Sequence, residues 1–221
     1  MQNFNYFYII CGESGTGKST IVKELTKRLG MKEVKSYTTR PKRYETEDTH
    51  TFITGTDYEM LKKIEKITMK EQAIVSTVFD NHYYFTTIEQ IENNNIVIWD
   101  KGGIIMFKLI CKYRNLDIPY KVIYITASKS VRKRRMIQRD GADKAFKRYY
   151  HDNKAFQGIE KYADFIVYNN DKLKGCTDKI IDFIEKTEKQ FVSCDKKETD
   201  LKCLSCMFGY DDDGGIYCKF H

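Results

Sequence analysis

Apolar residues fall along this chain in two rhythms. Phe4-Asn5-Tyr6-Phe7-Tyr8-Ile9-Ile10-Cys11 is an aromatic and β-branched run that reads as a buried strand. Ile21, Val22, Leu25 and Leu29 then recur at helical spacing up to Gly30, a residue suited to closing a helix. The alternation continues. Thr56-Asp57-Tyr58-Glu59 has the form of a capping box, and Met60, Leu61, Ile64 and Ile67 follow on one helical face. Ala73 to Phe79 predicts a strand, and Asn81 to Thr86 a turn and its exit. Ile96-Val97-Ile98-Trp99-Asp100 is an apolar run ending in a carboxylate, as expected of a buried parallel strand. A helix over Ile104 to Tyr113, a strand over Lys121 to Thr126, a basic helix over Ser128 to Arg139 and a last strand over Phe165 to Asn169 complete the series. Thr177 is expected to open a final helix whose Ile180, Ile181 and Ile184 cover the sheet. At 221 residues, this is one sizeable α/β domain with an appendage.

The first strand and first helix are joined by Gly12-Glu13-Ser14-Gly15-Thr16-Gly17-Lys18-Ser19-Thr20, a full match to the phosphate-loop pattern in the context it needs. Glycines let successive N–H groups turn inward, and the helix N-terminus adds its positive end, so the loop suits a polyphosphate. Lys18 is expected at the β- and γ-phosphates and the Ser19 hydroxyl on Mg²⁺, which implies a nucleoside triphosphate ligand. Further on, Arg40 and Arg43 flank Pro41 in an extended segment and offer forked donors suited to a phosphate dianion. Arg132, Arg135 and Arg139 share a helix face at spacings of three and four.

Composition changes the picture only at the end of the chain. The net charge of +7 suits phosphate-rich small substrates without demanding nucleic acid. The apolar N-terminal run has no basic lead, and no stretch reaches membrane-spanning length, so the cytoplasm is the expected compartment. Four of the seven cysteines crowd into the last 30 residues. Cys203-Leu204-Ser205-Cys206 and Cys218-Lys219-Phe220-His221 form two knuckles around a Gly- and Asp-rich turn, a ligand set for closed tetrahedral zinc, with Cys194 as a substitute ligand.

The phosphate loop followed by Ser36-Tyr37-Thr38-Thr39-Arg40-Pro41-Lys42-Arg43 resembles the guanylate kinase family, and the likeness runs through about residues 6 to 172. The resemblance implies a P-loop kinase fold: a parallel five-stranded sheet flanked by helices, an insert that binds the nucleoside monophosphate, and a mobile lid. It divides residues 1–191 into a core of 1–33, 96–126 and 162–191, an insert of 34–95 and a lid of 127–161; 192–221 would be the zinc tail. Under it, Ser36 contacts the base, while Arg40, Arg43 and Tyr84 hold the acceptor phosphate. Asp100 orders Mg²⁺ through water or accepts from the base. Arg135, Arg139 and Arg148 close over the triphosphate, Asn169 lies near the adenine, and Arg132, Lys133 and Arg134 stay on the surface.

Two departures from the family bear on the substrate. Val75 stands where the family carries a guanine-reading glutamate, and a loop tyrosine is replaced by Thr51 or Phe52. The activity implied is phosphoryl transfer from ATP to GMP or dGMP by a monomer or homodimer. Still open are the same chemistry on another or modified deoxynucleotide or a ribose phosphate, and a silent module that binds a phosphorylated partner.

Overall fold

A computed structural model describes residues 4–71, 73–170, 173–195, 208–210 and 216–218. In chain order the elements are β1 (Phe7–Cys11), α1 (Lys18–Leu29), β2 (Tyr37–Thr38), β3 (Thr51–Phe52), α2 (Asp57–Glu71), β4 (Ala73–Phe79), β5 (His82–Thr87), α3 (Ile88–Glu92) and β6 (Ile96–Ile98). There follow α4 (Lys101–Arg114), β7 (Tyr120–Thr126), α5 (Lys129–Asp140), α6 (Ala142–Ala155), a 3₁₀ turn (Ile159–Tyr162), β8 (Phe165–Tyr168), α7 (Leu173–Asp195), β9 (Phe208–Tyr210) and β10 (Ile216–Cys218).

The main sheet is parallel, with strand order β6-β1-β7-β8. It has four strands where five were expected. The fifth position is reduced to a single bridge, Glu33 to Ile96, because the chain meets β6 only there before Lys35 and Ser36 carry it into a second sheet. All five residues of the central strand β1 are buried. Its alternation splits the core into two layers. Tyr8 and Ile10 pack with Ile21 and Leu25 of α1 and Ile180 and Ile184 of α7, while Phe7 and Ile9 pack with Ile104 and Phe107 of α4. The buried Glu188 of α7 accepts from the Tyr8 hydroxyl (2.8 Å) and the Asn5 amide (2.8 Å), which ties the last helix to the first strand.

The second sheet, order β3-β2-β5-β4, sits over the C-terminal edge of the first. Asp80 and Asn81, both at positive φ, make the tight turn between β4 and β5; the expected exit is thus itself a strand. Thr56 and Glu59 form the anticipated capping box on α2, and Thr87 with Gln90 forms one on α3 that the sequence reading missed. Thr177 does not open α7. That helix starts four residues earlier, and the Thr177 hydroxyl donates back to the Leu173 carbonyl; the helix also runs to Asp195, past the expected start of the tail. Among the described residues, no helix is long and apolar enough to cross a membrane.

Candidate functional site: a phosphate loop facing two groups of arginines

The loop between β1 and α1 is closely packed, and its glycines are required by that packing. A Cβ on Gly12 would lie 2.1 Å from the Ile125 carbonyl oxygen, and one on Gly15 would lie 2.7 Å from the Arg132 carbonyl oxygen. The buried Thr16 hydroxyl donates to the Glu13 carbonyl at 2.8 Å. Lys18 Nζ donates to the carbonyls of Gly12 (2.5 Å) and Glu13 (2.9 Å). Burial pushes the Lys18 amine down to about 8, against the raising influence of Asp152, Cys11 and Glu13. Ser19 and Thr20 are exposed at the head of α1, and Asp100 is exposed at the head of α4. These positions fit a hydroxyl ligand and a water-mediated carboxylate ligand for Mg²⁺. Asp100 also caps its helix, accepting from the Gly103 amide at 2.7 Å.

Asn169 was expected beside the adenine. It is buried beneath the loop, where its Nδ2 donates to the Thr16 carbonyl at 2.8 Å and its Oδ1 has no hydrogen-bond partner among the described residues. It braces the loop from below.

On the second sheet, Arg40 makes a forked ion pair with Glu47 (2.8 and 3.2 Å), a carboxylate only 1% exposed. The Arg43 amide (2.7 Å) and Thr49 hydroxyl (2.9 Å) also donate to Glu47. Burial alone would raise the Glu47 carboxyl, but these donors hold it at about 2. Arg40 thus has its fork fixed in place, and it also hydrogen-bonds the Tyr84 side chain. Burial first, then the charges of Arg40, Arg148 and Arg139, lower the Arg43 guanidinium below its ordinary value. The arginines of the second sheet and of the α5–α6 pair therefore share one electrostatic field, which also reaches Lys18 through Arg139.

Beside this field lies a cavity of about 210 Å³ lined by Ser36, Val75, Thr77, Thr86, Trp99 and Asp100, among others. His50, rather than Thr51 or Phe52, is the residue of its loop that lines the cavity, edge-on to Tyr84 at 5.6 Å. Burial and the nearby Arg40 charge push the His50 imidazole down to about 4, so it is neutral at pH 7. The Trp99 indole N–H donates to Thr86 Oγ1 (3.4 Å), which lies 2.7 Å from Ser36 Oγ. Indole can only donate, while either hydroxyl of the Ser36–Thr86 pair can be the donor, so Ser36 Oγ faces the cavity as a group able to donate or accept.

Arg132, Arg135 and Arg139 of α5, which share a helix face, have separate partners. Arg139 pairs with the adjacent Asp140, and Arg135 donates to the carbonyls of Gly15 (3.3 Å) and Asn169 (3.0 Å). Arg132, expected on the surface, is 3% exposed, because the acids Glu13 and Asp152 face it from the loop and from α6. Arg148 is half-buried on α6. Glu47, His50, Arg132 and Asp152 all escaped the sequence reading. A local signal existed only for Glu47, an acid four residues after the second arginine of the Arg40/Arg43 pair.

The expected zinc ligands Cys203, Cys206 and His221 lie outside the described residues, as do the side chains of Cys194 and Cys218. Among the described residues, no group of three or more His, Cys, Asp or Glu could hold a metal ion.

A phosphate loop at the C-terminal edge of a parallel sheet, faced by arginines on two other elements, is the arrangement of the P-loop phosphotransferases. The AAA domain family (AAA_18) matches residues 9–156. The chain is 39% identical over 88 residues to guanylate kinase of Thermotoga maritima, covering 39% of this chain and 41% of that protein. It is 30% identical over 176 residues to guanylate kinase of Wigglesworthia glossinidia brevipalpis, covering 76% and 81% of the two chains. The crystal structure of guanylate kinase from Anaplasma phagocytophilum superposes with a TM-score of 0.58 at 15% identity, over 85% of this chain and 88% of that one, a likeness of fold. The chain belongs to the AAA domain family of P-loop proteins and, by its sequence relatives, to the guanylate kinase family.

Proposed function

We propose that this protein transfers the γ-phosphoryl group of ATP to a purine nucleoside monophosphate, GMP or dGMP. The observation that carries the reading is the phosphate loop itself, with Lys18 folded onto it, Arg135 on its Gly15 carbonyl, and Arg40 held ready in a forked pair with Glu47. The acceptor is already an anionic oxygen, so the reaction needs no general base. Lys18 and the loop amides hold the β- and γ-phosphates, with Arg139, Arg148 and the loop-bound Arg135 supplying positive charge on the lid side. Arg40, fixed by Glu47, places the acceptor phosphate in line together with Arg43 and Tyr84. Ser19, with Asp100 acting through water, would hold Mg²⁺, which would supply charge neutralisation for the β- and γ-phosphates.

Ser36 donates to an exocyclic carbonyl on the base. Val75 itself offers a 2-amino group no acceptor, which leaves Thr77 and Asp100 among the acceptors lining the cavity, and turnover of IMP compared with GMP tells whether either reads that group. Turnover of Mg·ATP against ribo- and deoxynucleoside monophosphates, with Arg40→Ala and Lys18→Ala as controls, tests the reading. Arg40→Ala should cost mainly acceptor KM and Lys18→Ala mainly kcat. Full activity in both variants, or no turnover with any 6-oxopurine nucleotide, refutes it.

The C-terminal knuckles are proposed to hold structural zinc. The antiparallel pairing of β9 with β10, which sets Phe208 opposite Cys218, supports this. Native mass spectrometry showing a metal-free chain would end that proposal.

A further inference from the structure

We infer that Asp152 is a resident anion of the phosphate loop, released from it by a polyphosphate and received by Arg132. The inference rests on the reading that the loop holds a triphosphate. Asp152, on α6, is 6% exposed, and its Oδ2 accepts from the Ser14 amide at 2.5 Å. That amide belongs to the loop whose N–H groups would cradle phosphate, so carboxylate and ligand compete for one donor.

The surroundings supply a second place for the carboxylate. Arg132 is clamped on two sides: Nε donates to the Ser14 carbonyl (3.2 Å) and NH1 to Glu13 Oε1 (2.9 Å). Glu13 is fixed in turn by the Tyr124 hydroxyl at 3.0 Å. The remaining nitrogen, NH2, is buried and makes no hydrogen bond among the described residues; it lies 3.8 Å from Asp152 Oδ2. A buried guanidinium N–H without an acceptor is costly, and the acceptor it lacks is one short carboxylate rotation away. A phosphate arriving at Ser14 repels Asp152, and the rotation that frees the amide completes Arg132. One hydrogen bond is exchanged for another, and no charge is left unpaired. The two lid helices stay packed meanwhile through Met136, Ala145 and Tyr149. Asp152 and Arg132 are positioning residues, and the pair lets the lid register occupancy of the loop.

The test is calorimetric binding of inorganic tripolyphosphate to the full chain and to Asp152→Asn, Arg132→Lys and the double variant. Asp152→Asn should tighten binding roughly tenfold by removing the competing charge. Arg132→Lys, which keeps the charge and loses the receiving N–H, should weaken binding severalfold in the native background and have no effect when Asp152→Asn is already present. Equal or weaker binding by Asp152→Asn, or an Arg132→Lys effect that persists in the Asp152→Asn background, overturns the inference while leaving the proposed activity intact. Failure of the unaltered protein to bind either tripolyphosphate or ATP overturns both. Should the variants not fold, the unaltered chain still decides: the Arg132 side-chain N–H signals should slow their solvent exchange when tripolyphosphate is added, and unchanged exchange refutes the switch.

Discussion

Replacing Glu47 by glutamine keeps the shape of a side chain on which three donors converge and removes its charge. A carboxyl shifted from 4.5 to about 2 favours its ionised form by roughly 3 kcal/mol. The carboxylate itself is covered but its site lies close to the surface, so solvent screening lowers that figure. Glu47→Gln should therefore lose on the order of 1–2 kcal/mol of stability at pH 7, or roughly 5 °C in Tm for a chain of this size. Glu47 is a group with a depressed folded value, so its contribution is complete above about 4.5 and disappears as pH falls towards about 2. The difference between the two proteins should narrow over that window. Arg40 loses its fixed fork, and re-ordering a mobile arginine costs on the order of 1–2 kcal/mol, so acceptor KM should rise about tenfold while ATP KM holds. Urea titrations at several pH values and steady-state kinetics measure both effects. Equal stability at pH 7, or a loss that falls on ATP instead of the acceptor, would show that Glu47 does not organise the acceptor clamp.

Lys18, pushed down to about 8, is half deprotonated at that pH, and a bound triphosphate restores its charge. ATP binding near pH 8 should take up about half a proton, read by calorimetry in buffers of different ionisation enthalpy; no buffer dependence contradicts the assignment. The same shift makes stability rise with pH between about 8 and 10.5, where the unfolded chain binds the extra proton. Gly15→Ala places a Cβ against the backbone of α5 at positive φ and should cost about 2 kcal/mol or more together with ATP binding. A native-like Tm would mean that α5 yields easily.

What could be read in the sequence was local. The phosphate loop, the strands around it and the capping box at Thr56 are set by neighbours a few residues apart, and each lies where its pattern put it. Arg132 was illegible because its helix is strongly basic and looks solvated throughout; its burial depends on Glu13, 119 residues away, and on Asp152 in the next helix. The polar run from Tyr44 to Thr51 reads as a solvated loop, yet one acid within it gathers three donors and a histidine turns onto the tyrosine of a later strand. Asn169 falls just past the last strand, which ends at Tyr168, and only the packing of Gly17 against its side chain shows that it serves the loop from below. The fifth strand failed because strand pairing depends on where the chain turns away, which periodicity does not encode.

Val75 and Trp99 are 5% and 7% exposed and belong to the main core, yet the same two side chains wall the cavity proposed to take the base. Gly103 fits against both, and a methyl group there would sit 3.1 Å from Trp99 Cβ. Substrate choice and structural integrity are thus written in the same atoms. A lineage drifting towards a new base could not exchange these residues one at a time without loosening the layer that carries β1. It would change first at Ser36 and Thr77, on the less buried rim, and reach the wall only after gaining stability elsewhere.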